Sequence, residues 1–223
     1  MRDVAMIRSQ SPGWRDSGQP NRRHLLLAGL SLPFAGWAQP ARAADPGNAA
    51  RFIDALGQQT LAILQQALPV AQREAQLREL LRQGFDLGFI GRFVLGRAYA
   101  SMTPDIAADY HQAFNDFVLR TYARRLAGFQ ARSFAILSAR AAGDSDTEVA
   151  TRIDPQNGQP VRCDWRVRES GQRLGIIDVA VENVSMAVTQ RNEFASVVNS
   201  SGVNGLIGVL RARADRETIN VAR

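Results

Sequence analysis

Apolar and polar residues change their period twice along this chain. Over residues 48–68 the positions Phe52, Leu56, Thr60, Ile63, Leu64 and Ala67 recur at helical spacing, with Arg51 and Asp54 on the opposite face. Pro69 predicts a stop. A second helix is expected over residues 70–82, carrying Leu77, Leu80 and Leu81, with Gly84 where a left-handed cap is common. Thr103-Pro104-Asp105 is a strong helix start: a capping hydroxyl, proline at the first helical position and an acid in the first turn. That helix is predicted to reach about Ala127, with Gly128 as its stop. Its apolar stripe of Ile106, Tyr110, Ala113, Phe114, Phe117 and Val118 reads as a core face whose aromatic content could also line a pocket.

Beyond Gly128 the period becomes two. Residues 133–139 (Phe134, Ile136) and 148–153 (Val149) read as strands around the turn cluster Ala142-Gly143-Asp144-Ser145. The loop from Asp154 to Pro160 contains Asn157-Gly158 as its tightest element. Next, Val161, Cys163, Trp165 and Val167 alternate with Arg162, Asp164, Arg166 and Arg168, a strand with one buried and one wet face. After a turn at residues 169–172, Ile177, Val179 and Val181 oppose Asp178 and Glu182 in a fourth strand. Gln190-Arg191-Asn192-Glu193-Phe194 returns to helical spacing. Ser200-Ser201-Gly202 interrupts it before a final helix over residues 203–213 and a polar tail at 214–223. Four consecutive strands joined by short turns, with helices before and after, predict an antiparallel meander in an α+β fold.

Charge divides the chain. The first 43 residues hold six arginines against two aspartates, and the other 180 hold 21 arginines against 19 acids. The positive excess therefore sits in the leading segment, and the remainder carries no charge pattern suited to nucleic acid. Every basic residue is arginine, which reads as compositional bias. The leading segment has the layout of a cleavable export signal: Asn21-Arg22-Arg23-His24, an apolar run to Ala38, then Ala41-Arg42-Ala43. Cleavage is expected between Ala43 and Ala44, and a periplasmic location follows. The arginine pair resembles a twin-arginine signal, although Asn21 precedes it where Ser or Thr is usual and Leu25 stands where Phe is usual. An ordinary Sec signal with two arginines is the alternative. No apolar run reaches the roughly 18–20 residues of a membrane helix.

Candidate chemistry is sparse. Cys163 is the one cysteine and sits on the apolar side of a strand, where a thiol behaves as a small hydrophobe. His111 is the only histidine after the leading segment and is expected on an exposed helix face. No triad, metal set or cofactor motif can be assembled from these residues. The glycines at Gly88, Gly91 and Gly96 fit neither nucleotide fingerprint and are expected to permit close packing; Arg92 and Arg97 read as solvated. Asp178 and Glu182 share a strand face with arginines from the neighbouring strand and are expected to form cross-strand ion pairs. A non-enzymatic protein is expected.

Several blocks together carry a resemblance. Phe93-Val94-Leu95-Gly96-Arg97-Ala98-Tyr99 followed by Thr103-Pro104, the aromatic helix after it, and Asp178-Val179-Ala180-Val181-Glu182-Asn183-Val184-Ser185-Met186 leading into Gln190 occur in order with Gly202-Val203-Asn204-Gly205-Leu206. Over about residues 49–213 the chain resembles the MlaC family, also known as toluene-tolerance auxiliary components of an ABC transporter. The usual glycine in the Glu-Gly-Val-Ser block is Asn183 here, a residue that tolerates a left-handed turn.

The resemblance implies a single domain over residues 44–213: a four-stranded twisted antiparallel sheet wrapped by about six helices, with an apolar lipid cavity between them. It implies a periplasmic phospholipid carrier that shuttles between an outer-membrane lipoprotein–porin complex and an inner-membrane ABC transporter with an MCE-domain subunit, maintaining outer-membrane lipid asymmetry. Phospholipid is then cargo and no cofactor is needed. The related HpnM branch, linked to hopanoid synthesis, and a non-carrier scaffold are the alternatives. Cavity walls are expected from the inward strand positions Phe134, Ile136, Val149, Trp165, Val167, Ile177 and Val179, and from Phe93, Tyr99, Phe117 and Phe194 on helices.

Overall fold

The computed structural model describes residues 45–219. The expected export signal and the cleavage point between Ala43 and Ala44 lie outside the described residues. Helix α1 (Pro46–Gln65) starts where Asp45 accepts a hydrogen bond from the Gly47 amide and proline occupies the first turn. It ends four residues before Pro69, with Gln66 already extended. Helix α2 (Val70–Gly84) follows, and Phe85 and Asp86 then run beside the sheet, the Asp86 amide donating to the Ile176 carbonyl at 2.9 Å. The Asp86 carboxylate caps helix α3 (Leu87–Leu95) through the Phe89 amide. A 3-10 turn, Gly96–Ser101, leads to helix α4 (Pro104–Ala127), capped by Thr103 as expected and stopped at Gly128.

Five strands follow as a meander in sheet order: β1 (Ala131–Ala141), β2 (Asp146–Pro155), β3 (Val161–Ser170), β4 (Arg173–Val181) and β5 (Val184–Ser185), each antiparallel to the next. The expected four strands thus become five. The two-residue β5 exists because Glu182 and Asn183 both take positive φ, 48° and 65°, folding the chain back against the end of β4. Neither residue is glycine. Asn183 accepts the left-handed backbone readily, and the Glu182 carboxylate accepts a hydrogen bond from the Arg162 amide at 2.7 Å.

Bulges shape the sheet. Where β3 pairs β4, Val167 faces Ile176 while Arg166 faces Asp178, leaving Ile177 as the extra residue. Simple alternation therefore misses Ile176, which is buried together with Ile177. A second bulge between Ile136 and Ser138 turns Leu137 outward.

Helix α5 (Met186–Ile219) is interrupted at Gly202 (φ 69°, ψ −179°), a backbone state open to glycine almost alone. The helix continues past Arg213 with Ala214 buried, so most of the expected polar tail extends it. One core joins α3, α4 and α5 around Phe114, Phe117, Phe194 and Leu210; another joins α1 to the sheet around Ile53, Val149, Val167 and Ile176. Among the described residues no helix is long and apolar enough to cross a membrane.

Two carboxylates brace these layers. Among the described residues Asp178 forms no cross-strand ion pair; its Oδ1 accepts from the amides of Val179 and Ala187, and its Oδ2 from the Ser185 hydroxyl at 2.6 Å. Ser185 in turn caps α5 through the Val188 amide. One β4 side chain thereby holds the start of α5 against the sheet. Asp146, only 4% exposed, accepts from Arg166 at 3.0 Å and from Arg168 at 2.7 Å. The Arg168 guanidinium also lies over the Phe89 ring, 4.3 Å from its centroid, linking the sheet to α3.

Burial pushes the Asp146 carboxyl up, but hydrogen bonds from Arg168 and Arg166 outweigh it and hold the group below its ordinary range. A depressed folded-state pKa gives stability that is present above the unfolded value of about 4 and lost as pH falls through the folded one. Asp146→Asn should lower urea-unfolding stability at pH 7 by about 2–3 kcal/mol. Its stability should also fall less steeply than the parent's below about pH 4.

Candidate functional site: an apolar cavity beneath the sheet

Between the sheet and helices α1, α2 and α4 lies a cavity of about 370 Å³. Helix α1 contributes Ile53, Leu56, Gly57, Thr60, Leu61 and Leu64, a face repeating at i, i+3, i+4, i+7, i+8 and i+11. Helix α4 contributes Phe114, Val118, Tyr122 and Leu126 at successive turns, and α2 adds Leu77, Leu80 and Leu81. Phe134, Trp165, Ile177 and Val179 lie on the sheet wall, and Met186, Ala187 and Gln190 at the start of α5 complete the lining. Leu61, Leu64, Leu80, Leu81 and Leu126 are only half-buried, so apolar surface remains open to solvent along the helical side.

Apart from the Tyr122 hydroxyl and the Cys163 thiol, the polar side chains on this wall are already engaged. Asp178 is its one charged residue, and its oxygens hold the β4–α5 junction. The Thr60 hydroxyl donates to the Leu56 carbonyl one turn earlier. The Trp165 indole donates to the Thr151 hydroxyl at 2.9 Å, which donates to the Cys163 carbonyl at 3.0 Å. Burial, followed by the charges of Asp164 and Glu182, pushes the Cys163 thiol up to about 11, so it is a neutral wall atom at physiological pH. The surface that remains offers dispersion and desolvation, with few hydrogen bonds for a guest.

Phe134 shows how closely the layers meet. Its ring lies against α1 at Gly57, where an added Cβ would come within 2.3–2.6 Å of ring atoms. Any larger residue there would displace Phe134 or push α1 from the sheet.

Four of the eleven expected wall residues line this cavity: Phe134, Trp165, Ile177 and Val179. The structure places the other seven elsewhere. Val149 and Val167 are fully buried in the α1–sheet core, with Ile136 packed against it. Phe117 and Phe194 are buried in the helical core of α3, α4 and α5, and Phe93 and Tyr99 pack on its margin. Inward-facing spacing marks a residue as buried and does not tell a filled core from a cavity wall. The leucines of α1 and α2 were visible as helical stripes. What would have marked them is the width of the α1 stripe together with its embedded Gly57.

His111 is half-buried rather than exposed. Its Nε2 lies 3.1 Å from the Tyr99 hydroxyl and its ring packs edge-on to Tyr99. Burial, reinforced by Arg92, holds its pKa below the ordinary value. Gly91 makes room for it: a Cβ there would sit 3.2 Å from both the His111 and Phe114 rings, while the Gly91 carbonyl accepts from the buried Tyr110 hydroxyl. Gly91 is thus a packing glycine as expected, Gly88 has looser surroundings, and Arg92 and Arg97 are exposed. Among the described residues no group of His, Cys, Asp and Glu could hold a metal ion.

Comparison with known proteins agrees with this architecture. The solved structure of the phospholipid-binding protein from Ralstonia solanacearum, in complex with a phospholipid, matches with a TM-score of 0.67 at 25% identity. The match covers 76% of this chain and 98% of that one. The family described as MlaC protein matches residues 54–212, which take in both braces and every named cavity-wall residue except Ile53. This chain belongs to the MlaC family.

Proposed function

We propose that this protein is a periplasmic phospholipid carrier that takes the acyl chains of one lipid into the cavity between the sheet and α1, α2 and α4. The observation that carries this reading is the cavity wall: apolar, open along one side, with most of its polar atoms already paired. Membership of the MlaC family and likeness to a structure holding a phospholipid support it. At about 0.8 kcal/mol per buried methylene, a few carbons of each chain suffice to favour transfer out of water. Because the wall offers few polar partners, chain burial supplies most of the affinity and the head group remains near the mouth.

In this proposal residues 1–43 direct export, and the mature chain shuttles between an outer-membrane lipoprotein–porin complex and an inner-membrane ABC transporter with an MCE-domain subunit. A carrier needs reversible capture and no bond chemistry. That fits a site whose only thiol is neutral and whose only carboxylate is structural.

Trp165 provides a direct test because its indole lies on the wall. Phospholipid with brominated acyl chains should quench part of the tryptophan emission, and Trp165→Phe should remove that part. Unchanged emission on saturation with brominated lipid would contradict chain insertion here. If a hopanoid binds and phospholipid does not, the cargo assignment fails.

Two strand valines, one in the core and one on the wall, should separate stability from capture. Val167→Asp places a charge at a position 1% exposed and should destabilise the chain by about 3 kcal/mol or more in urea unfolding. Val179→Asp, on the half-buried cavity wall, should fold and lose co-purifying lipid. A folded Val179→Asp protein that retains its lipid would count against the wall assignment.

A further inference from the structure

The geometry points to a phosphate-binding lip at the end of the cavity where α4 meets α5, built from Arg125, the Tyr122 hydroxyl and Gln190; it rests on the phospholipid reading above. Tyr122 and Gln190 both line the cavity, one from each helix. Arg125 lies one turn after Tyr122, and its guanidinium carbon is 5.7 Å from the centroid of the Tyr122 ring. It therefore stands beside the cavity stripe of α4 rather than on the far side of the helix.

The charges around this point are unevenly paired. Glu193 accepts a hydrogen bond from the Gln190 amide at 3.2 Å and has Arg213 at 3.7 Å. Arg120, also on α4, has Asp215 at 4.0 Å. Arg125 is exposed, and no carboxylate pairs with it among the described residues. Burial above all holds the Tyr122 phenol above its ordinary pKa, with Arg125 lowering it and Glu193 raising it. The phenol stays protonated and can donate.

An unpaired guanidinium, a phenol and a primary amide around an apolar mouth suit a phosphate oxygen whose attached chains enter the cavity. Arginine supplies the planar, charge-assisted donors that phosphate favours. The ring beneath it limits the guanidinium's freedom. The lip would set which way a lipid enters, head at the α4–α5 end and tails toward α1 and α2. It would also favour phosphate-bearing lipids over neutral ones with the same chains.

The test uses the full chain and a pair of brominated lipids with identical acyl chains, a phosphatidylglycerol and a diacylglycerol, read by tryptophan quenching. Arg125→Ala should weaken phosphatidylglycerol binding roughly tenfold and leave diacylglycerol binding unchanged, and Arg125→Lys should restore part of the difference. Equal loss for both lipids would make Arg125 a packing residue and overturn the lip, as would no loss for either. Failure of the unsubstituted chain to bind either lipid would instead defeat the carrier reading itself. Titration with inorganic phosphate alone should show no saturable binding at millimolar concentration. Saturable binding abolished by Arg125→Ala would assign the lip to a free anion and overturn the head-group role.

Discussion

An apolar cavity open to water persists only when the elements around it are held by bonds that do not cross it. Here the Asp178 carboxylate carries much of that burden. It lies on β4 at the cavity edge; it accepts locally from the Val179 amide, and its bonds from the Ser185 hydroxyl and the Ala187 amide hold the first turn of α5 in place. A carboxylate facing an apolar chamber would ordinarily be costly. With its oxygens occupied it presents little unpaired charge to the interior, and it replaces the contacts that a filled core would otherwise provide. The positive-φ turn at Glu182 and Asn183 brings Ser185 within its reach.

Asp146 acts similarly from the other direction, gathering Arg166 and Arg168 and, through the Arg168–Phe89 contact, fixing α3 relative to β3. Behind these braces, buried clusters among α3, α4 and α5, between α1 and the sheet, and between α2 and α4 take up most of the large side chains. The open stretch of the cavity is bounded by leucines on α1 and α2 that are only half-buried. The division is physical: ion pairs and full packing where shape must be kept, aliphatic side chains where a variable hydrocarbon is received.

Much of the architecture was legible from spacing. The Thr103–Pro104 start, the Gly128 stop and the alternation of Val161 to Val167 have local causes, so they read correctly from neighbouring residues, whereas helical spacing reads only from Gln190 although α5 starts at Met186. β5 and the Ile177 bulge were not legible in this way, because both depend on how strands register against one another. Asp178 reads on the sequence as a wet-face acid; its role emerges only when Ser185 and Ala187 fold back beside it. Family resemblance supplied the idea of a cavity, yet inward-facing spacing could not locate it. Val149 and Val167 look no different from Val179 along their strands, and the layers they meet decide which is core and which is wall. His111 was misread for the same reason, since Tyr99, 12 residues away, covers it.

The central claim is that the cavity between the sheet and α1, α2 and α4 holds the chains of one phospholipid. Native mass spectrometry of the protein purified without added lipid tests it most directly. The account predicts a species heavier than the bare chain by the mass of one phospholipid, released intact on collisional activation. A bare chain that also acquires no phospholipid from vesicles would contradict it.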